Sequence, residues 1–337
     1  MKKLIEMIEA KARQEDFYGV VAIFKKNKEI FNKAYGFRDK NNRIHNNVDT
    51  KFGIASGTKL FTALGIGTLI DQNKIKLDTE IGDIFKEPMS FIDKKATIQH
   101  LLTHTSGVYD YYDDELITDI DNFYVDIPWY KLETPTDYLS LFINKKMKFP
   151  PGECVSYSNG GYVLLGIIIE TITNRTYRDY MAETVLNAAE MTDSGFYALN
   201  NLPENAALGY RHDHTTNIYN LPIRGGGDGG LYTTSGNLRK FWKHLFAFDI
   251  ISERLLNEFI TPHVRMWQIV DYGCGIYISK VNERQEYSIV GGDAGVGFNS
   301  KYIPADDLII NTLSNKTNGE EEIVSIINDY LNSGKKT

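Results

Sequence analysis

The chain has 337 residues, 42% of them hydrophobic and 24% charged, a balance typical of globular proteins and enough material for one large domain or two closely joined ones. Its formal net charge of −7 argues against general binding to nucleic acid or to an anionic membrane, both of which need clustered Lys and Arg, and leaves a small-molecule partner as the expectation. No window approaches the roughly 20 apolar residues of a membrane span, charges interrupt any signal-peptide core in residues 1–11, and Cys154 and Cys274 are too few for a disulfide framework, so the expected compartment is the cytoplasm.

Leu4, Ile5, Ile8 and Ala12 recur at helical spacing and predict an amphipathic helix to about residue 16. Residues 17–24 are β-branched and aromatic, Lys26-Asn27-Lys28 makes a turn, and an extended pattern resumes from Glu29 toward Tyr35-Gly36, which together predict a hairpin. From about residue 89 to 229 helical periods alternate with loops. This stretch contains Tyr109-Asp110-Tyr111-Tyr112-Asp113-Asp114-Glu115, which lacks the spacing of a cation site and reads as a solvated loop and a candidate lid. Gly-rich residues 224–231 lack a phosphate fingerprint and read as tight turns where backbone passes close to something. Extended residues return at 272–279, 285–290 and 308–313, and residues 320–331 carry Ile323, Val324, Ile327, Tyr330 and Leu331 at helical spacing behind first-turn glutamates. Both ends of the chain therefore belong to one sheet with helices packed on it.

Ser56-Gly57-Thr58-Lys59 opens the apolar run Leu60-Phe61-Thr62-Ala63-Leu64. If Ser56 starts a helix, the Lys59 ammonium sits one turn on and beside its hydroxyl, and the positive helix N-terminus favours an alkoxide and the oxyanion it creates. The motif alone is weak, because Ser333-Gly334-Lys335-Lys336 repeats it and Tyr330-Leu331-Asn332 mimics Tyr157-Ser158-Asn159, both in a terminal tail expected to fray. His100 and His104 have the i, i+4 spacing of helical zinc ligands but lack the HExxH glutamate, and His212 and His214 have no third ligand nearby, so neither a metal nor a cofactor is expected. Both cysteines read as small hydrophobes.

Read outward from Ser56, the segment Phe52-Gly53-Ile54-Ala55-Ser56-Gly57-Thr58-Lys59 resembles the nucleophile segment of the serine β-lactamase and penicillin-binding protein superfamily. Asn73-Lys74-Ile75-Lys76-Leu77-Asp78-Thr79 is similar to the turn after its nucleophile helix, and Ile98-Gln99-His100-Leu101-Leu102-Thr103-His104-Thr105-Ser106-Gly107 to its long "IRHLLTHTSG" string. Phe149-Pro150-Pro151-Gly152, Tyr157-Ser158-Asn159-Gly160-Gly161-Tyr162 and Gly230-Leu231-Tyr232-Thr233-Thr234 resemble blocks of the class C β-lactamase and family VIII esterase branch. The resemblance runs from about residue 17 to residue 330.

It implies an α/β (α+β) fold of the DD-peptidase type: one catalytic domain with an antiparallel sheet flanked by N- and C-terminal helices (about 1–88 and 230–337) and a mostly helical and loop part (about 89–229). It also implies Ser56 as the acylated nucleophile and Lys59 with Tyr157 as the proton-handling pair, in which the Lys59 cation favours a Tyr157 phenolate. Asn159 orients Lys59 and the substrate. The family's oxyanion strand carries Lys-Thr-Gly or His-x-Gly; here the matching place reads Ile289-Val290-Gly291-Gly292-Asp293-Ala294-Gly295, without Lys or His. Gly292, Asp293 and Ala294 are expected to bind or orient substrate, with Asp293 either bonding substrate or capping the turn. The expected function is a serine hydrolase acting on a small ester or amide, most like an esterase because no carboxylate anchor remains. Alternatives are a D-amino-acid peptidase or amidase, a β-lactamase-type activity, and a degenerate member that binds ligand without turnover. The resemblance leaves oligomeric state open.

Overall fold

Strand β1, Gly19–Lys25, is buried on both faces: Val21 and Ile23 point into one apolar cluster, Val20, Ala22 and Phe24 into another, as the two-residue side-chain period requires. The computed structural model describes residues 1–85 and 92–333. β1 turns into β2, Lys28–Tyr35, to form the expected hairpin. The other strands of the main sheet come from the last quarter of the chain: β3 Val264–Trp267, β4 Val270–Tyr272, β5 Tyr277–Val281, β6 Arg284–Asp293, β7 Val296–Ile303 and β8 Leu308–Ser314. Their order is β2-β1-β8-β7-β6-β5-β4-β3 and all neighbours are antiparallel. β1 pairs with β8 from Gly19↔Ser314 to Lys25↔Leu308, so the two ends of the chain meet in the middle of one sheet.

On one face lie helix α1, Lys2–Gln14, and the C-terminal helix, Glu321–Asn332. Leu4, Ile8, Ile323, Ile327 and Leu331 pack there over Val21, Ile23 and Ile310. The larger core fills the opposite face and holds α2 (Thr58–Asp71), α3 (Asn159–Thr173) and α4 (Ser235–Phe246); the C-terminal helix is then α5. Every residue of α2 from Thr58 to Ile70 is buried, so this run has no solvent face and the one charge within it, Lys59, is committed to the interior.

Four elements differ from the sequence expectation. The extended run at 272–279 is broken in two, because Gly275 at φ +80° bends the chain between β4 and β5. A Cβ there would lie 2.9 Å from Ala63 Cβ and 3.0 Å from the Lys59 carbonyl, so only glycine lets this bend approach α2. β7 and the edge strand β3 carried no distinct extended signal. Tyr330 and its neighbours do not fray: Tyr330 is buried on α5 and its hydroxyl accepts from the chain's N-terminal amine. Residues 334–336 of the repeated Ser-x-x-Lys pattern lie outside the described residues.

A buried polar chain ties α4 to the sheet. Trp242 Nε1 donates to Ser300 Oγ at 2.8 Å, Ser300 Oγ to Asn311 Oδ1 at 2.7 Å, and Asn311 Nδ2 to the Ser235 carbonyl at 3.1 Å. Replacing Asn311 by Leu removes the acceptor for one buried hydroxyl and the donor for one carbonyl. Asn311→Leu is expected to cost about 1–3 kcal/mol, read as a lower urea midpoint with an unchanged slope; an unchanged midpoint would show that the chain adds no stability.

Candidate active site

Ser56 lies in a single 3-10 turn, Ala55–Gly57, directly before α2. The turn is held from two sides. Phe52–Gly53 pairs with Tyr232–Thr233, with Ile54 N–H donating to the Leu231 carbonyl at 2.9 Å. On the other side, β6 passes so close at Gly291 that a Cβ there would lie 2.1 Å from the Ile54 carbonyl and 2.9 Å from the Ser56 nitrogen. Ala55 takes φ +43°, a left-handed value uncommon for a residue with a Cβ, and the half-buried Ser56 side chain is thereby presented to a cavity.

Lys59, one turn on, is 1% exposed. Its Nζ lies 2.9 Å from Ser56 Oγ, 2.7 Å from Asn159 Oδ1 and 2.7 Å from the Asp228 carbonyl. Asn159 starts α3, whose N-cap Ser158 accepts from Gly161 N–H. Its amide orientation is fixed by partners that can only accept: Nδ2 donates to Asp110 Oδ2 at 3.1 Å and to the Tyr112 carbonyl at 2.7 Å, which leaves Oδ1 for Lys59. Burial pushes the Lys59 ammonium below its ordinary value, and the carboxylates of Asp228, Asp114, Asp110 and Asp293 pull it partly back.

Tyr157 is placed by the long string at residues 98–107. His104, at φ +59° and fully buried, accepts from Ser158 N–H with Nδ1 at 3.1 Å and stacks on Tyr157 with ring centroids 4.3 Å apart. Its Nε2 therefore carries the proton and donates to the Tyr272 hydroxyl at 3.2 Å. Lys59 Nζ sits over the Tyr157 ring, 4.8 Å from its centroid. The expectation of a phenolate held by Lys59 is not met. Burial pushes the Tyr157 phenol well above its ordinary value, with Tyr277, Tyr272 and the Asp114 carboxylate adding to the rise and the Ser56 hydroxyl opposing it.

Of the third sequence-predicted group, Asp293 lines the cavity with Ser56 and Asn159. Gly292 is exposed on β6, Ala294 is buried with its carbonyl accepting from Asn217 Nδ2 at 2.8 Å, and neither lines the cavity. β6 and β7 are joined by two residues, Ala294 and Gly295, with Asp293 opposite Val296. In such a hairpin Asp293 and Val296 form a hydrogen-bonded pair, and alternation turns the Gly292 N–H away from β7, to the edge of β6 that β5 leaves unpaired.

The acidic, tyrosine-rich loop is not solvated as expected. Asp110 is 2% exposed, accepts from Gly160 N–H at 3.1 Å and from Asn159, and is pushed up to about 7 by burial. Tyr111 and Tyr112 turn inward and join Trp129, Tyr138, Tyr197 and Tyr232 as walls of a cavity of about 720 Å³, counting its open mouth. The Tyr111 hydroxyl donates to Asp228 Oδ2 at 2.5 Å. Asp110, Tyr111, Tyr112, His104 and Asp228 thus belong to the site although sequence reasoning assigned none of them a role; the available signal was the density of tyrosine beside carboxylates, which a freely solvated loop does not need.

The Gly-rich segment does pass close: the Gly227 carbonyl accepts from Thr62 Oγ1 at 2.6 Å and the next carbonyl, of Asp228, from Lys59. His100 caps the helix Ile98–Leu102 through Thr97, whereas His104 lies beyond it, so the two imidazoles serve different purposes. His212 bonds Asp121 at 2.7 Å on the surface. Among the described residues no group of three His, Cys, Asp or Glu is arranged to hold a metal, and none of their helices is long and apolar enough to cross a membrane. Cys154 is exposed and Cys274 buried, both free.

A family model described as Beta-lactamase matches residues 4–328. The crystal structure of a penicillin binding protein from Bacillus halodurans superimposes with a TM-score of 0.90 at 35% identity, covering 96% of this chain and 99% of that one. Penicillin-binding protein 4* of Bacillus subtilis strain 168 is 26% identical over 301 residues, 84% of this chain and 64% of the relative. Protein flp of Staphylococcus aureus strain N315 is 29% identical over 206 residues, which are 60% of this chain but 39% of that protein, so the match spans well under half of this relative's length.

His104 supplies a pH prediction. Burial, with Lys59 adding to it, holds its imidazole well below the ordinary 6.5, so the unfolded chain binds a proton that the folded one does not once pH falls under that value. Stability is then lost as pH falls, by about 1.4 kcal/mol per unit below 6.5 until the folded imidazole itself titrates. Nitrogen-15 NMR should find the Nε2–H tautomer unchanged from pH 8 to pH 5; an imidazole titrating near 6.5 would contradict the assignment.

Proposed function

The chain belongs to the beta-lactamase family, and on that premise we propose that it is a serine hydrolase that cleaves a small ester or amide through an acyl-enzyme on Ser56, with esterase-like turnover. The observation that carries this reading is the set of partners around Lys59 Nζ. Two of its three neighbours, Asn159 Oδ1 and the Asp228 carbonyl, can only accept. A neutral amine gives its two hydrogens to these and turns its lone pair to Ser56 Oγ at 2.9 Å, the arrangement of a general base.

In the proposed reaction Ser56 Oγ attacks the substrate carbonyl carbon while its proton passes to Lys59. The oxyanion is met by the Ser56 and Gly292 backbone N–H groups, each such donor contributing roughly 2.7–4 kcal/mol in acyl transfer. The C–O or C–N bond then breaks. Tyr157, which holds its proton tightly, relays the one gained by Lys59 to the departing alkoxide or amine. A water attacks the acyl carbonyl by the reverse route, releases the acid and restores Ser56. The absence of Lys or His on β6 removes the partner of a substrate carboxylate, which favours an ester or amide over a penicillin.

Treatment with a fluorophosphonate should add its mass to the Ser56 peptide, and Ser56→Ala should abolish both the adduct and hydrolysis of short-chain aryl esters; an unlabelled Ser56 in an inactive protein would sink the proposal. Because the lysine must be neutral to act, activity on a neutral ester should rise with pH through a single step below 10.5, and a rate that falls over that range would reverse the roles. Tyr157→Phe should lose about 10²–10⁴-fold. Gly291→Ala, whose Cβ would displace the Ser56 turn, should lose about 10²-fold in acylation with far-ultraviolet circular dichroism unchanged.

A further inference from the structure

The cavity beside Ser56 is acidic and aromatic. Two carboxylates, Asp228 and Asp293, stand on its wall, while no Lys or Arg is among its lining residues. Lys59 lies behind the wall with all three hydrogen-bonding positions engaged. Two arginines near Gly225 are engaged with backbone and carboxylate: Arg178 donates to the Gly225 and Glu133 carbonyls, and Arg224 faces the Glu133 carboxylate at 3.9 Å. A ligand anion entering this cavity meets two acidic side chains and no basic one on the wall.

The two carboxylates are also held apart in a fixed frame. Consecutive loop residues each address one of them: the Tyr111 hydroxyl donates to Asp228 at 2.5 Å, and the Tyr112 hydroxyl lies beside Asp293. Tyr111 packs edge-on against Tyr138 at 5.5 Å, and Tyr112 against Phe123 at 4.9 Å, which fixes both phenols. A carboxylate has about four lone-pair sites, so one phenol leaves each aspartate able to accept more bonds from the cavity. Aromatic faces beside carboxylates attract an ammonium and gain nothing from a carboxylate ligand.

We infer that the site selects substrates whose acyl part carries a protonated amine, an amino-acid amide, ester or peptide with a free amino group, with Asp293 as its anchor and Asp228 as the second acidic contact. The inference rests on the Ser56 acyl-enzyme reading and names its substrate class. Asp293 follows Gly292 on β6, so an acyl group whose carbonyl sits between the Ser56 and Gly292 N–H groups has its α-substituent beside the Asp293 carboxylate. Burial pushes Asp293 up to about 7, Asp114 and Asp228 add to the rise, and Tyr112 and Lys59 oppose it; an ammonium alongside relieves that cost. An aromatic or aliphatic side chain then has Trp129, Tyr138 and Tyr197 to rest against. The acid at this position replaces the positive group whose absence the sequence makes evident, so that the same place on the strand reads the opposite charge.

The test uses ligands that share one amino-acid amide body and carry a positive, a neutral or a negative group at its nitrogen: phenylalaninamide, its N-acetyl form and its N-succinyl form, each as both enantiomers. Calorimetric titration into Ser56→Ala protein separates recognition from turnover. The cationic amide should bind at least about tenfold more tightly than the neutral one, and the succinyl form most weakly. Asp293→Asn, which keeps the shape and the Tyr112 contact, should shrink the cation-to-neutral ratio by about tenfold, and Asp228→Asn by less. On wild-type protein the corresponding 4-nitroanilides should show the same order in kcat/KM. Equal or tighter binding of the neutral or succinyl ligand overturns the inference, as does a ratio unchanged in both aspartate variants. If Asp293→Asn proves unfolded by circular dichroism, the wild-type order and Asp228→Asn decide. Charge-selective binding without a Ser56 adduct would leave the inference standing and remove the hydrolase reading; an adduct without charge selectivity would do the reverse.

Discussion

A single ammonium nitrogen, Lys59 Nζ, joins the three parts of the chain that make the site. It reaches Ser56 from the same helix, Asn159 from the start of α3 and the Asp228 carbonyl from the Gly-rich segment. An unpaired charge in this interior would be prohibitive, so the position of each partner is constrained by the need to satisfy it. This is why a helix buried on every side can carry a lysine, and why the backbone at 225–231 has to run so close to α2. The glycines there and at Gly275 allow contacts that a side chain would block.

The surrounding charges set what that nitrogen can do. Water is excluded, which favours the neutral amine, while four carboxylates favour the cation. Tyr157 meets the same burial with Lys59 over its ring, and burial raises its phenol well above the ordinary value. In the proposed reaction base and acid are thus distinguished by environment rather than by residue type. The carboxylates near the cavity have a second consequence, because they face the ligand as well as Lys59 and give the pocket its sign.

Much of the architecture could be read from the sequence because it rests on local periods and strong motifs. The hairpin at residues 19–35, the terminal helix and the meeting of the two chain ends follow from alternation and helical spacing, and the structure brings Ser56, Asn159 and the Tyr157 ring together around Lys59 Nζ. What stayed hidden depends on burial at long sequence separation. Tyr109 to Glu115 look like a solvated loop until Asp110 is seen bonded to the N-terminus of α3. The phenolate expected of Tyr157 took Lys59 as the cation beside it; Lys59 does lie over the ring, but burial at long sequence separation outweighs it. The break at Gly275 is set by contact with α2, which no strand pattern encodes.

The claim on which this account turns is that the buried amine beside Ser56 gives up its proton more readily than an ordinary lysine. Direct titration of the Lys59 Nζ by NMR, in protein labelled at lysine with nitrogen-15 and assigned by comparison with Lys59→Arg, measures it. The account predicts a single transition below 10.5. A Lys59 ammonium that persists to that pH or above it would contradict the account.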